Sequence, residues 1–97
     1  MPAFVISEVE IIDEESANEY RKLAAIAIEK YNGRYLTRAA EAIVVEGQTT
    51  GRKVVILEFP SMQQIRNWYA SPEYAKALKY RKVALDRRLM FVEGTSS

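Results

Sequence analysis

The stretch Val54-Val55-Ile56-Leu57-Glu58-Phe59-Pro60-Ser61 decides how this chain folds. Its β-branched and aromatic residues favour a strand, Pro60 ends it, and Ser61 with Gln64 three residues on opens a helix. Glu58 is the one charge in an otherwise apolar run. An ionised carboxylate on a central strand is costly unless it is paired or faces a cavity, so Glu58 marks an expected pocket floor.

Downstream, Met62, Ile65, Trp68 and Tyr69 fall on one side of a short helix. Pro72 disfavours helical geometry at Ser71 but suits a first helical position, so a second helix begins there with Ser71 as its cap. Its inner stripe is Tyr74, Ala77, Leu78, Arg81 and Leu85, and residues 88–93 close the chain as a strand. Upstream, residues 52–59 form the quoted strand, Gln48-Thr49-Thr50-Gly51 a turn, and residues 34–39 with 42–46 one interrupted strand. Residues 4–12 alternate as a strand. Asp13 then offers a helix cap, with Ser16 and Glu19 as a second possible capping box, and Ala17, Tyr20, Leu23, Ala24, Ala27, Ile28 and Tyr31 recur at helical spacing until Gly33.

The resulting order is strand, helix, strand, strand, helix pair, strand. It predicts an α+β domain of the ferredoxin-like βαββαβ type, with helices over one face of a four-stranded antiparallel sheet. One domain accounts for residues 1–97, with Gly94-Thr95-Ser96-Ser97 as a flexible tail.

Composition narrows the function. The 97 residues are 48% hydrophobic, and 14 basic against 13 acidic side chains leave a charge of +1, which gives nucleic acid or an anionic membrane no field to follow. The longest apolar run, Leu23 to Ile28, is too short to span a bilayer, and Met1-Pro2-Ala3-Phe4 enters a strand without a charged leader, so a cytoplasmic protein is expected. Cysteine and histidine are both absent. That removes thiolate and imidazole nucleophiles and any thiolate metal site. Glycines at 33, 47, 51 and 94 make no phosphate cradle. Glu8, Glu10 and Glu58 could hold a hard cation, but Arg34 and Arg38 nearby oppose it. No cofactor and no metal are expected.

Strict alternation places Val5, Ser7, Val9, Ile11, Val55, Leu57, Phe59, Leu89 and Phe91 under the helices. The other face receives Phe4, Ile6, Glu8, Glu10, Arg34, Leu36, Arg38, Val54, Ile56, Glu58, Arg88, Met90 and Val92. That is too much apolar surface for a small monomer, so a second copy is expected to cover it in a homodimer.

Four blocks carry a family resemblance: Met1-Pro2-Ala3-Phe4-Val5-Ile6, Tyr31-Asn32-Gly33-Arg34-Tyr35-Leu36, Leu57-Glu58-Phe59-Pro60-Ser61 and Trp68-Tyr69-Ala70-Ser71-Pro72-Glu73-Tyr74. Together they resemble the small bacterial family called domain of unknown function 1330, over nearly the whole chain to Val92-Glu93-Gly94. The resemblance implies the dimeric α+β-barrel superfamily, in which two ferredoxin-like sheets close face to face around a ligand cavity. Members of that superfamily include cofactor-free quinol monooxygenases, haem-degrading monooxygenases, muconolactone isomerases and ligand-sensing modules. A shared fold transfers none of these activities, and a chain without histidine lacks the usual haem ligand.

Two functions follow from the residues and the resemblance together. One is a small hydrophobic carbonyl or phenolic ligand held in the barrel cavity, with cofactor-independent oxygenase or isomerase chemistry in which Glu58 is the base and Arg38 the electrostatic stabiliser. The other is a dimeric binding or scaffold module without turnover. Tyr31, Arg34, Glu8, Trp68 and Tyr69 are the further ligand-contact candidates. Apart from Tyr31, these have structural counterparts: Glu58 paired with Arg38 across adjacent strands, Arg34 and Arg38 paired with Glu8 or Glu10 at the dimer interface, and Trp68 and Tyr69 as core.

Overall fold

The computed structural model describes residues 1–95. In chain order they form β1 (Ala3–Ile11), α1 (Glu14–Lys30), β2 (Arg34–Glu41), β3 (Lys53–Phe59), α2 (Met62–Tyr69), α3 (Pro72–Ala84) and β4 (Leu85–Glu93). The four strands make one antiparallel sheet in the order β2-β3-β1-β4, and the βαββαβ order with this sheet is the ferredoxin-like α+β fold.

The helix starts follow their caps. Asp13, rather than Ser16, opens α1: its carboxylate accepts from the Ser16 amide at 2.9 Å. Ser61 accepts from the Gln64 amide at 3.1 Å. Ser71 does two things at once, donating to the Trp68 carbonyl (2.7 Å) that ends α2 and accepting from the Tyr74 amide (3.0 Å) that starts α3. One buried hydroxyl thus sets the angle between two short helices and the relative placement of Trp68 and Tyr74. At the other end of α1, Gly33 is required by close approach, since a Cβ there would lie 2.5 Å from Phe59 Cζ and 2.9 Å from Ile28 Cγ2.

The core lies between helices and sheet, built on Val5, Ala24, Ile28, Leu57, Phe59, Ile65, Trp68 and Tyr74. Burial along β1 alternates through Val9, as the sequence pattern demands of a sheet covered on one face.

Three local expectations are corrected. Residues 42–46 are not strand: the β2–β3 ladder ends at Glu41 opposite Lys53, and the connection beyond it is exposed, with Ile43 at 90% and Val45 at 88%. Apolar alternation without a partner strand has no ladder to join. Second, α3 runs into β4 with no loop, because Leu85 is already extended (φ −138°, ψ 145°), so β4 starts three residues before the expected position. Third, β2 carries irregularities between Tyr35 and Thr37 and again before Ala40, with Ala39 at a positive φ of 47°. An inserted residue reverses which face later side chains take. Of the expected flexible tail, Gly94 is half-buried and donates to the Pro2 carbonyl at 2.9 Å, while Ser96 and Ser97 lie outside the described residues.

Candidate ligand site between the helices and the sheet

A cavity of about 140 Å³ lies on the helix side of the sheet, not on its bare face. Its walls are mostly apolar, from Val5, Val9, Ala24, Ile28, Val55, Leu57 and Leu89, with Ser7, Tyr20, Tyr35, Trp68 and Arg87 among the polar members.

The polar centre is a cluster contributed by three elements. Tyr20 of α1 and Tyr74 of α3 place their hydroxyls 2.5 Å apart. Arg87 of β4 donates to both, from Nη1 to Tyr20 at 2.8 Å and from Nη2 to Tyr74 at 3.1 Å. Arg87 stands opposite Val9 in the ladder, which turns it toward the helices. Burial, and after it the neighbouring Tyr20, hold the Tyr74 hydroxyl protonated far above the usual phenol range, and burial raises Tyr35 as well. Tyr74 and Tyr35 are therefore held as O–H groups.

A count of donors shows what the cluster lacks. Arg87 can only donate, so each tyrosine oxygen accepts from it. The contact between the two hydroxyls uses one of their two protons. The other proton has no acceptor within the cluster, and either tyrosine can carry it; Tyr20 is the one of the two on the cavity wall. Three more buried polar atoms have no protein partner among the described residues: Ser7 Oγ, Trp68 Nε1 and Arg87 Nε. All three residues line this one cavity. An unsatisfied buried polar group costs about 1–3 kcal/mol, and native proteins carry a few per hundred residues; what singles out this cavity is that all three belong to residues lining it.

The residues expected from the sequence are distributed differently. Glu58 sits on the bare face opposite Phe4 and Arg34, and Arg34 donates to its Oε1 from Nε (2.8 Å) and Nη2 (2.5 Å). Arg34, not Arg38, is therefore the partner of Glu58. The register places Arg34 directly opposite Glu58, and the β2 irregularity beyond it takes Arg38 off the bare face: Thr37 takes the position opposite Ile56, while Arg38 is among the residues lining the helix-side cavity, with its guanidinium 4.0 Å over the Tyr35 ring. Glu8 meets Arg88 at 3.7 Å on the bare face, not Arg34 or Arg38. Tyr31 donates to Glu73 at 3.0 Å, and the hydrogen bond from Lys30 keeps that carboxyl below its usual range. Trp68 is fully buried and lines the cavity, with its ring 4.3 Å from Tyr74 and 5.2 Å from Phe59. Tyr69 is partly exposed and packs edge-on against Trp68 and Phe91.

Because Arg34 is 73% exposed, the pair with Glu58 sits in high dielectric and contributes no more than about 1 kcal/mol. Glu58→Gln is accordingly expected to shift the melting temperature by only a few degrees. A drop beyond 15 °C in a thermal melt, roughly the 3–5 kcal/mol of a broken buried pair, contradicts this.

Tyr20, Ser7 and Arg87 were not legible as site residues, and Tyr74 was legible only as core with a cavity-lining role as the lesser alternative. Tyr20 reads as helix stripe and Ser7 as one position of the helix-side face. Arg87 was hidden by starting the last strand at Arg88; carrying the Leu89 and Phe91 alternation back one step places Arg87 under the helices.

Fold and site together define a ferredoxin-like α+β domain with a buried, donor-rich cavity between its helices and its sheet. The family described as domain of unknown function, DUF1330, matches residues 2–95, and the chain belongs to that family. No curated protein matches the chain. Among solved structures, a protein of unknown function from Rhodopseudomonas palustris superposes with a TM-score of 0.79 at 19% identity, over 99% of this chain and 84% of that one. A cofactor-independent oxygenase from Streptomyces nogalater, SnoaB, superposes with a TM-score of 0.69 at 8% identity, over 99% and 95%. A dimeric protein of unknown function and ferredoxin-like fold from Bacteroides fragilis gives 0.55 at 14% identity, over 96% of each chain.

Proposed function

We propose that this protein binds a small hydrophobic ligand carrying a carbonyl or phenolic oxygen in the cavity between helices and sheet. One observation carries the reading: three buried polar atoms without protein partners, Ser7 Oγ, Trp68 Nε1 and Arg87 Nε, belong to residues lining the same space. Apolar walls take the body of the ligand. Arg87 and the tyrosine O–H meet its oxygen, and they do so more strongly as that oxygen gains negative charge.

Cofactor-independent oxygenase or isomerase chemistry is compatible with such a pocket, because it begins from an ionised phenol or enol whose charge Arg87 would stabilise. The structural likeness to SnoaB supports that reading at the level of fold. Against it, no Asp or Glu lines the cavity, so the described residues offer no carboxylate base to ionise a reluctant ligand. That observation favours a binding module without turnover. Fluorescence of Trp68, the single tryptophan, tests the site: a panel of phenol, acetophenone and benzoate should contain at least one saturable quencher, and silence from all three removes the reading. Oxygen uptake with an enolisable 1,3-diketone, above the buffer rate, is the further result expected of an oxygenase; saturable binding without uptake identifies the module.

We also infer a homodimer through the bare sheet face. Phe4, Ile6, Val54, Ile56 and Met90 are only half-buried in the single chain and Val92 is 41% exposed, forming an apolar field between the Arg34–Glu58 and Glu8–Arg88 pairs. A stable dimer there buries roughly 1,600 Å² or more. Light scattering at micromolar concentration should give twice the chain mass, and Ile56→Asp should give the monomer or an unfolded chain, since it places an unpaired charge in that field. A wild-type monomer refutes the assembly.

A further inference from the structure

We infer that the ligand of this cavity is a small carboxylate with a single ring or a comparably compact apolar body. This rests on the reading of the cavity as a ligand site and narrows it to one chemical class.

Charge supplies the first argument. Three arginines line the cavity, Arg21, Arg38 and Arg87, and no acidic residue does. Arg21 is offset by Glu14 at 3.6 Å. Among the described residues, Arg38 and Arg87 have no carboxylate within ion-pair distance; their partners are the Tyr35 ring and the two tyrosine hydroxyls. Arg87, the half-buried one of the two, sits in a mainly apolar enclosure without a counter-ion, which is unfavourable, and an anion brought by the ligand lessens that penalty. Arg21 and Arg38 are exposed members of the lining, with Ile11, so they stand at the mouth, where two cations attract an anion toward the interior.

Hydrogen-bonding capacity points the same way. The unfilled capacity consists of Arg87 Nε–H, Trp68 Nε1–H, one tyrosine O–H and the Ser7 hydroxyl. Three of the four can only donate or are left to donate, and Ser7 alone can accept. A carboxylate accepts at both oxygens and donates nothing, which complements this set. A phenol or an amide brings a donor for which Ser7 is the one free acceptor. Because the lining holds no acidic side chain to take a proton, a ligand that arrives already ionised suits it best.

Volume bounds the body. Apolar cavities of about 150 Å³ hold a benzene-sized ring, so 140 Å³ takes one ring and not a fused pair.

The test is a calorimetric and Trp68-fluorescence titration of the intact protein with matched probes: benzoate and cyclohexanecarboxylate against benzamide and acetophenone, with 2-naphthoate as the size probe. Benzoate is expected to bind at least tenfold more tightly than benzamide, and 2-naphthoate not to saturate. Arg38→Gln is expected to weaken benzoate at least threefold and leave acetophenone unchanged, a pattern that general unfolding does not produce. Acetophenone or benzamide binding as well as benzoate keeps the ligand site and overturns the carboxylate assignment. Equal loss of both probe classes in Arg38→Gln overturns the electrostatic role of the mouth. No response to any probe overturns the site itself, and the inference with it.

Discussion

Arg87→Met is expected to leave the protein as stable as the wild type, or more so, while benzoate affinity falls roughly 10- to 100-fold. The two effects separate because Arg87 is a cation in a mainly apolar enclosure whose partners do not depend on it. Removing the guanidinium leaves Tyr20 and Tyr74 hydrogen-bonded to each other at 2.5 Å, so no hydroxyl is stranded. Methionine supplies similar length without a half-buried charge to desolvate, which offsets the two hydrogen bonds lost to the tyrosines. Binding behaves oppositely, since a hydrogen bond to a charged group is worth about 1.5–3 kcal/mol, and each 1.4 kcal/mol is close to tenfold. Thermal melts beside benzoate titrations of both proteins check the pair of outcomes. A melting temperature lowered by more than about 10 °C shows that Arg87 is a structural tie, and undiminished benzoate affinity removes it from the binding site.

Trp68→Ala is expected to cost about 3–5 kcal/mol, the usual range for deleting a large buried aromatic. Trp68 is among the largest fully buried side chains, and it joins the Phe59 end of the sheet to Tyr69 and Tyr74 on the two short helices. For a domain of this size the loss corresponds to a melting temperature lower by on the order of 15–30 °C, which leaves little of a typical margin. Calorimetric melts of the variant measure it directly. A loss below about 1 kcal/mol means that the site collapses around the missing ring and that Trp68 is a cavity wall rather than a core residue. Trp68→Phe keeps most of the ring volume but removes Nε1, a donor without a protein partner, so its stability should stay near wild type while ligand affinity falls.

The sequence and the structure part company at specific residues. Period-two patterning predicted which β1 and β3 residues lie under the helices, because strict alternation holds wherever a strand is regular. The same rule misplaced Arg38, because the irregularities in β2 leave no trace in a polar, half-exposed run such as Arg34-Tyr35-Leu36-Thr37-Arg38-Ala39. It missed Arg87 because a helix that passes into a strand without glycine or proline gives no boundary signal. Pairing was one of two readings the sequence allowed for Glu58, but its partner, Arg34, four residues before the expected Arg38, was not legible.

By itself, the sequence determined the number and kind of elements, the caps at Ser61 and Ser71, a choice between Asp13 and Ser16 for the first helix, and an α+β sheet with one covered face. These follow from local backbone preferences and from side-chain periodicity, both of which act over a few residues. Only the tertiary structure decided where a ligand could sit. The Tyr20–Tyr74–Arg87 cluster joins α1, α3 and β4 across 67 positions of chain between its ends, and a cavity is the space that separately specified elements leave when they pack. No local pattern encodes that space, because it depends on how well distant side chains fill the volume between them.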